Sequence, residues 1–176
     1  NPLIKKGAKF FSTSRKGAEM IKYASNAFLA TKISYINEIA NLCEKIGVNV
    51  EDISIGMGLD KRIGTRFLRA GPAYGGSCFP KDTKAIAIIS DQYKSNLSII
   101  KSTIKSNENR KNLFKKRTFQ IMKNKIKNKT ITFLGVTFKA NTDDMRESMC
   151  LKMIPVFLKK GAKLRYYDPS GKKKEI

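Results

Sequence analysis

The stretch SRKGAEMIKYASNAFLATKISYINEIANLCEKIG, residues 14–47, determines most of the fold that the sequence predicts. Its apolar residues recur at the spacing of one helix face, which is the pattern of an amphipathic α-helix. Ser12, Thr13 and Ser14 offer side-chain oxygens that can cap the start of this helix, and Gly47 stands where a glycine cap ends one. About thirty residues in one helix is long for a globular domain and favours the spine of a helical dimer.

Three further helices are predicted after the long one. They span residues 50–59, residues 79 to about 93 and residues 96 to about 128. A glycine-rich loop precedes the second of these helices, and Pro80 suits its first turn because the missing N–H would have no partner there. Asp82 lies in the same turn and complements the helix dipole. Residues 1–128 are therefore predicted to form one helical domain.

The character of the chain changes after the last of these helices. Residues 130–134, TITFL, are a β-branched apolar run bounded by a glycine, which predicts a buried strand. Residues 147–160 are predicted to be helical, with Pro155 producing a kink or marking an edge, and residues 164–167 form a second strand. A strand, a helix and a strand make one βαβ unit of a parallel sheet. The predicted fold is mainly α with a small α/β part, the latter being the first βαβ unit of a Rossmann-like domain over residues 129–176.

The composition is strongly basic. Lys and Arg total 36 against 14 Asp and Glu, which gives a formal net charge of +22. A surplus of this size raises nucleic-acid binding as a possible function. The lysines are scattered along the chain, however, so a solvated basic face is the favoured interpretation and no nucleic-acid partner is predicted. Steeply salt-dependent DNA binding is the observation that would favour the nucleic-acid alternative.

The absence of histidine excludes a Ser-His-Asp or Cys-His triad and any histidine-ligated metal site within this chain. Cys43, Cys78 and Cys150 are odd in number and far apart in sequence. This spacing argues against a disulfide framework and against structural zinc, and it fits a reducing cytoplasm. No stretch approaches the roughly 18 apolar residues that a membrane helix needs. The sequence therefore predicts a cytoplasmic protein with no metal and no membrane partner.

One of the three cysteines has a setting that favours reactivity. Cys78 precedes a predicted helix, whose N–H groups and positive dipole end favour a thiolate over a thiol. Lys81, one turn further on, adds positive charge. Gly75 and Gly76 let the backbone come close to a ligand. Cys78 is therefore a candidate nucleophile, whereas the other two cysteines fall within predicted helices and are assigned structural roles.

The loop itself carries a family resemblance. Residues 71–82, GPAYGGSCFPKD, closely resemble the cysteine motif of the UDP-glucose/GDP-mannose dehydrogenase family. Other stretches resemble the same family in order and spacing: residues 62–64 and 67–68, which look like the UDP-glucose branch, residues 18–30, which look like the central helix, and residues 133–139 with 144–148, which look like the opening of the C-terminal nucleotide-sugar domain.

This resemblance implies an NAD-dependent oxidation of the C6 alcohol of UDP-glucose to UDP-glucuronate in two steps. An aldehyde can give up a hydride only after a nucleophile makes it tetrahedral, and the resemblance makes Cys78 that nucleophile. Lys22 and Asn26 lie four residues apart on one helix face, so both can stabilise the same oxyanion. The resemblance gives Asp82 a part in positioning water or transferring a proton.

The resemblance also implies the binding residues and a homodimer through the long helix. Arg62 matches an arginine that reaches the substrate of the partner subunit. The remaining substrate-binding candidates are Phe67, Leu68, Arg69, Ala70, Gly71, Tyr74, Gly75 and Lys139. Lys81 and Arg146 match residues near NAD, and each is a cation suited to a diphosphate or a ribose edge.

Two departures from the family pattern stand out. Ala73 occupies a position where the family usually has glycine, and it would be strained if that position needed a positive φ. The chain also lacks a G-x-G-x-x-G motif after a strand, and its C-terminal part stops after one βαβ unit. These features predict a piece of the dehydrogenase that is inactive alone. The alternatives are a GDP-mannose substrate and a non-catalytic helical dimerisation module.

Overall fold

A computed structural model describes residues 7–170 of the chain. Within those residues the chain forms five helices and two strands. In chain order they are α1 (Arg15–Ile46), α2 (Val50–Gly58), α3 (Phe79–Gln92), α4 (Ser98–Ile121), β1 (Thr130–Leu134), α5 (Met149–Lys159) and β2 (Lys163–Tyr167). The predicted fold class, mainly helical with a small parallel sheet, is confirmed. No helix in this part of the chain is long and apolar enough to cross a membrane.

Helix α1 is the spine on which the other helices pack. The side-chain oxygen of Ser14 accepts a hydrogen bond from the backbone N–H of Gly17 at 3.1 Å and so caps the first turn. Gly47 ends the helix in a left-handed conformation with φ 73°. One face of α1, which includes Ala30 and Ile36, is buried, and α3 and α4 pack against α1. Both predicted ends of the long helix are therefore confirmed.

Helix α4 is shorter than the sequence predicts. It ends at Ile121 rather than near residue 128, and Lys123, Asn124 and Asn128 all adopt positive φ. Asparagine tolerates this left-handed region better than most residues do. The lysine-rich composition suggests a continuous helix, but the chain must turn here to enter β1. The prediction of a helix to about residue 128 was therefore wrong by nearly two turns.

The βαβ unit has its own core. Strands β1 and β2 pair in parallel, with Thr130 opposite Lys163 and Leu134 opposite Tyr167. Ile126, Phe157 and Ala162 form a buried cluster. Partly buried residues that pack on this cluster include Phe119, Ile131, Phe133 and Leu164. Phe119 belongs to α4, so the long basic helix closes one side of the βαβ core.

Two details of this unit bear on the sequence predictions. Pro155 lies inside α5 and not at its edge. Side chains alternate between exposed and partly buried along both strands, and Leu134 and Tyr167 remain 84% and 69% exposed. This alternation leaves one face of the sheet uncovered within residues 7–170.

Candidate active site

Cys78 lies at the start of α3 and is exposed to solvent. It is the N-cap residue, but its side chain makes no capping hydrogen bond. Its Sγ lies 3.7 Å from the hydroxyl oxygen of Ser77, and Pro80 occupies the first turn of the helix. The sulfur therefore stands at the positive end of the helix dipole with access to a ligand from solvent.

Asp82 lies one helical turn beyond Cys78 and is fully buried. The side-chain amide of Asn26 donates to its Oδ2 at 2.6 Å, and the ammonium of Lys81 donates to its Oδ1 at 2.6 Å. The Lys22 ammonium lies 3.8 Å from Oδ2. The structure thus brings Lys22, Asn26 and Asp82, which are far apart in sequence, to one place beside the start of α3.

The protonation state of Asp82 follows from this setting. Burial raises the pKa of its carboxyl, but hydrogen bonds from Lys81 and Asn26, with the charges of Lys81 and Lys22, lower it further than burial raises it. The net direction is a pKa below the ordinary value for an aspartate. Asp82 is therefore a carboxylate at neutral pH that holds the Asn26 amide and both lysines in place.

The loop before Cys78 contains most of the predicted substrate-binding residues. Phe67 has a φ of 65°, a left-handed conformation that is uncommon outside glycine. Leu68 is buried, and its carbonyl oxygen accepts a hydrogen bond from the Ser54 hydroxyl at 2.7 Å. Arg69 is exposed and Ala70 is half-buried. This segment presents a fixed backbone with one charged side chain directed to solvent.

The glycine pair approaches protein rather than open space. A Cβ on Gly75 would lie 2.5 Å from the carbonyl oxygen of Glu147, and a Cβ on Gly76 would lie 2.7 Å from the Phe138 ring. The Gly76 N–H donates to the carbonyl oxygen of Arg146 at 2.8 Å. The βαβ part of the chain therefore fills the space beside both glycines, so the close approach to the backbone is made here by protein, at Gly75 by the Glu147 carbonyl and at Gly76 by the Phe138 ring.

Ala73 is not strained. The residues with positive φ include Gly76 but not Ala73, so a side chain at position 73 meets no backbone penalty there.

A cavity of about 700 Å³ lies between this loop and the βαβ unit. Residues that line it include Tyr74, Gly75, Lys139, Glu147, Cys150 and Asp168. The predicted substrate residues Tyr74, Gly75 and Lys139 therefore share one cavity. Cys78, Lys22, Asn26 and Asp82 are not among its lining residues, so the cavity does not itself include the cysteine site.

The C-terminal ends of the strands frame the cavity. The Asp168 carboxylate accepts hydrogen bonds from the backbone N–H groups of Val136 at 2.7 Å and Ser170 at 2.9 Å. These bonds, that from Val136 most of all, hold the pKa of Asp168 well below its usual range. The Cys150 thiol donates to the Gly135 carbonyl oxygen at 3.2 Å, and burial raises its pKa.

The remaining predicted cations are already paired. Arg62 lies in the exposed turn after α2, and its guanidinium holds the Asp60 carboxylate with contacts of 2.6 to 3.1 Å. Arg146 holds Asp144 in the same way, with contacts of 2.9 and 3.0 Å. The Lys139 ammonium lies 5.3 Å from the centre of the Phe138 ring. None of these pairs belongs to the Asp82 cluster.

The sequence interpretation missed three buried side chains that hold the loop. Asn37 of α1 and both Asn107 and Arg110 of α4 donate to or accept from backbone groups of Gly71 and Tyr74. A signal for the α4 pair existed. Within α4, Thr103, Asn107 and Arg110 recur at spacings of four and three and are buried; such spacing marks one helix face.

Comparison with known proteins identifies the family. Residues 16–109 match the UDP-glucose/GDP-mannose dehydrogenase family, central domain, and residues 132–176 match the UDP binding domain of the same family. The chain belongs to the UDP-glucose/GDP-mannose dehydrogenase family. Members of this dehydrogenase family with high similarity include UDP-glucose 6-dehydrogenases from Rickettsia typhi, 48% identical over 170 residues, and from Rhizobium meliloti, 45% identical over 170 residues.

Solved structures of the dehydrogenase family agree with the fold. The UDP-glucose dehydrogenase of Pyrobaculum islandicum aligns over 90% of this chain with a TM-score of 0.83 and 36% identity. The UDP-D-ManNAc dehydrogenase of Pyrococcus horikoshii aligns over 94% with a TM-score of 0.81 and 27% identity. The matches to the Rickettsia typhi and Rhizobium meliloti enzymes cover 97% of this chain but only 39% of the length of each enzyme. The alignment with the Pyrobaculum structure covers 37% of that structure's chain.

Proposed function

We propose that this chain carries the nucleophilic-cysteine part of an enzyme that oxidises UDP-glucose to UDP-glucuronate in two steps. The observation that carries the proposal is the exposed Cys78 sulfur at the start of α3, one turn from the buried, ionised Asp82. The name UDP-glucose 6-dehydrogenase, which relatives 48% identical to this chain carry, supports the substrate.

The role of Cys78 lies in the second oxidation. The thiolate attacks C6 of the aldehyde and forms a C–S bond, which gives a thiohemiacetal. Loss of a hydride from C6 then leaves a thioester, and water attacks the thioester carbonyl, releases the carboxylic acid and returns the thiol. The hydroxyl proton leaves the oxygen, and the hydride leaves C6 for a hydride acceptor, so C6 is oxidised by two electrons. The 176-residue chain alone is proposed to be inactive.

Lys22 and Asn26 are proposed to stabilise the oxygen that becomes negative during this attack. Both donors lie at the Asp82 Oδ2 atom, within 3.8 Å for the Lys22 ammonium and 2.6 Å for the Asn26 amide. A carboxylate with a lowered pKa is a weak proton acceptor. Asp82 is therefore better suited to orient these donors, and a water molecule, than to remove a proton itself.

Substrate binding is proposed for the loop and the cavity beside it. Arg69 and Lys139 offer cations for a diphosphate, and residues 67–71 offer a fixed backbone edge. The cavity lies where the proposed helical domain, residues 1–128, meets the proposed UDP-binding domain, residues 129–176. Arg62 is proposed to reach the substrate of a partner subunit. To do so, its guanidinium must either release the Asp60 carboxylate or bind the substrate and Asp60 at the same time.

The described residues do not by themselves fit NAD. The two proposed contacts, Lys81 and Arg146, already hold the carboxylates of Asp82 and Asp144, and residues 7–170 contain no glycine-rich phosphate loop that joins a strand to a helix. NAD as the hydride acceptor therefore rests on the family resemblance, and when bound it would take up the hydride that leaves C6.

A homodimer through α1 is proposed from its exposed apolar face. Ile21, Phe28, Tyr35 and Leu42 recur every seven residues and are between 49% and 66% exposed. A stripe at this spacing stays on one side of a helix and suits a second copy of the same helix. Analytical sedimentation should show a dimer, and a monomer at high protein concentration would contradict this. A cytoplasmic location is also proposed, consistent with three free cysteines.

The test uses the enzyme that contains this chain, with NAD and either UDP-glucose or GDP-mannose. We expect a covalent hexose adduct on the peptide that contains Cys78, trapped by rapid acid quench and identified by mass spectrometry, with UDP-glucose as the substrate. An adduct formed with GDP-mannose instead would reverse the choice of substrate. Oxidation to the acid with no adduct on Cys78, and with no effect of Cys78→Ser, would refute the mechanism.

A further inference from the structure

The loop that leads to Cys78 has its backbone polar groups bonded by side chains from two helices. The Gly71 N–H donates to the Asn37 Oδ1 at 2.8 Å, and the Gly71 carbonyl oxygen accepts from the Arg110 Nε at 3.0 Å. The Tyr74 N–H donates to the Asn107 Oδ1 at 2.8 Å. Buried backbone groups require partners, and this loop obtains them from α1 and α4 rather than from a neighbouring strand.

Asn107 makes the more specific of these contacts. Its amide accepts from the Tyr74 N–H and also donates to the Tyr74 carbonyl oxygen at 3.1 Å, so both backbone groups of one residue bond to one side chain. Asn107 is only 3% exposed. A two-bond contact of this kind fixes the position and the orientation of the Tyr74 peptide, and no other amino acid of the same size offers both a donor and an acceptor here.

Arg110 strengthens the same attachment one helical turn later. It is 8% exposed, and its guanidinium donates to the carbonyl oxygens of Gly71 and Asn37 and to the side-chain oxygen of Asn41. The orientation of the Asn37 amide has an energetic cost, because its buried Nδ2 atom has no hydrogen-bond partner among the described residues. Asn37 and Arg110 together satisfy both backbone groups of Gly71, which fixes the geometry of the loop at that residue.

The attachment reaches Cys78 through aromatic contacts. The Tyr74 ring packs edge-on against the Phe79 ring, with centroids 6.1 Å apart, and Phe79 directly follows Cys78. The Phe67 ring also packs edge-on against the Phe79 ring, with centroids 6.0 Å apart. A shift of the Tyr74 peptide would therefore move the first residue of α3 and the sulfur beside it.

We infer that Asn107 is a positioning residue for the cysteine-dependent step. It touches no reacting atom; it fixes the Tyr74 peptide, and through the Tyr74 and Phe79 rings it sets where the Cys78 sulfur stands. Arg110 and Asn37 hold the preceding turn of the same loop. The inference rests on the proposed role of Cys78 as the nucleophile.

The test compares Asn107→Ala with Asn112→Ala, because Asn112 is an exposed asparagine on the same helix. NMR of this chain measures the rate at which the Tyr74 amide hydrogen exchanges with solvent. Relative to the unsubstituted chain, this rate should be at least tenfold higher in Asn107→Ala and unchanged in Asn112→Ala. In the enzyme that contains the chain, Asn107→Ala should slow oxidation of the aldehyde at least tenfold and oxidation of the alcohol less than threefold, because only the aldehyde step uses Cys78.

The outcomes separate the two claims. Equal losses in both oxidation steps, or rates equal to those of Asn112→Ala, would overturn the positioning role. Faster alkylation of the buried Cys43 would show that Asn107→Ala is partly unfolded. In that case Asn107→Asp, which keeps the shape and an acceptor but loses the donor, tests the positioning role by the same two oxidation rates. If Cys78→Ser leaves aldehyde oxidation intact, the proposed function itself is wrong; if it abolishes that step and the Asn107 variants do not, only the positioning role is wrong.

Discussion

The two cysteines that stand at the beginning of helices differ sharply in their surroundings. Cys78 at the start of α3 is exposed and makes no capping hydrogen bond. Cys150, the second residue of α5, is half-buried and donates to a carbonyl oxygen, and burial raises its pKa. Both sulfurs lie near the positive end of a helix dipole. Proximity to a helix start is therefore insufficient to make a cysteine a nucleophile. Its reactivity also depends on solvent access and on the hydrogen-bond partner of the thiol.

The loops before the two helices differ as well. Gly76 before α3 has a φ of 78° and is crowded by the Phe138 ring, whereas Gly135 before α5 has a φ of 91° and open space around its Cα. Helix α5 has a side-chain N-cap, Ser148, and α3 has none. The start of α3 is shaped by its neighbours in space, and the start of α5 by its own capping residue.

The largest expected difference between the two sites is catalytic. In the enzyme that contains this chain, Cys78→Ser should lower formation of the carboxylic acid by at least about 10³-fold, because serine is not ionised at neutral pH and is a weaker nucleophile. Cys150→Ser should change the rate by less than about threefold. Quantifying UDP-glucuronate by chromatography tests both, and a comparable loss in the two variants would remove the distinction.

The next effect compares the two glycines. Gly76→Ala should lower the free energy of unfolding by about 2–4 kcal/mol, since it adds a positive-φ penalty to a clash with the Phe138 ring. Gly135→Ala meets only the positive-φ penalty and should lose about 1–2 kcal/mol. Urea unfolding of the 176-residue chain measures both. Equal losses would mean that the Phe138 ring moves away at little cost.

A smaller effect is expected at the helix caps. Ser148→Ala should destabilise the chain by about 1–3 kcal/mol, because its hydroxyl caps α5 and donates to the buried Val136 carbonyl oxygen at 2.6 Å. Cys78→Ala removes no capping bond and should stay within about 0.5 kcal/mol. Thermal unfolding of the two variants side by side is the measurement, and a larger loss at position 78 would show that its thiol has a structural role.

The smallest difference concerns alkylation. At pH 7, iodoacetamide should modify Cys78 about tenfold faster than Cys150, since the raised pKa of Cys150 leaves less of it as thiolate. The buried Cys43 should react most slowly. The gap between Cys78 and Cys150 should narrow as the pH rises and the Cys150 thiol ionises. Peptide mass spectrometry at several pH values follows all three, and equal rates at pH 7 would contradict the proposed difference.

Local signals predicted most of the fold. Ser14 and Gly47 mark the ends of α1 within a residue, because capping depends on side chains adjacent in sequence. Pro80 marks the first turn of α3 in the same way. The β-branched run at residues 130–134 matches the bounds of β1, but the prediction that this strand is buried was wrong, because its side chains are exposed or only partly buried in residues 7–170. The end of α4 was missed because the lysine-rich composition continues past Ile121, although Asn124 and Asn128, which adopt positive φ, were a local signal for the turn.

The site was predictable only in part. The spacing of Lys22 and Asn26 places them on one helix face, and the structure brings both to Asp82. The contacts of Asn107 with Tyr74 join residues 33 positions apart, and those of Phe138 with Gly76 are longer still in sequence. Such pairs follow from the assembled fold, so composition and periodicity do not reveal them.

The Phe138 ring over Gly76 limits how members of this family could exchange segments. A recombination point anywhere between residues 76 and 138 takes the glycine from one parent and the aromatic ring from the other. A parent with a larger residue at 76 would then clash with the ring, and one with a small residue at 138 would leave a void beneath the loop. These two positions should therefore be inherited as one set, and gene chimeras that keep them together should fold where others fail.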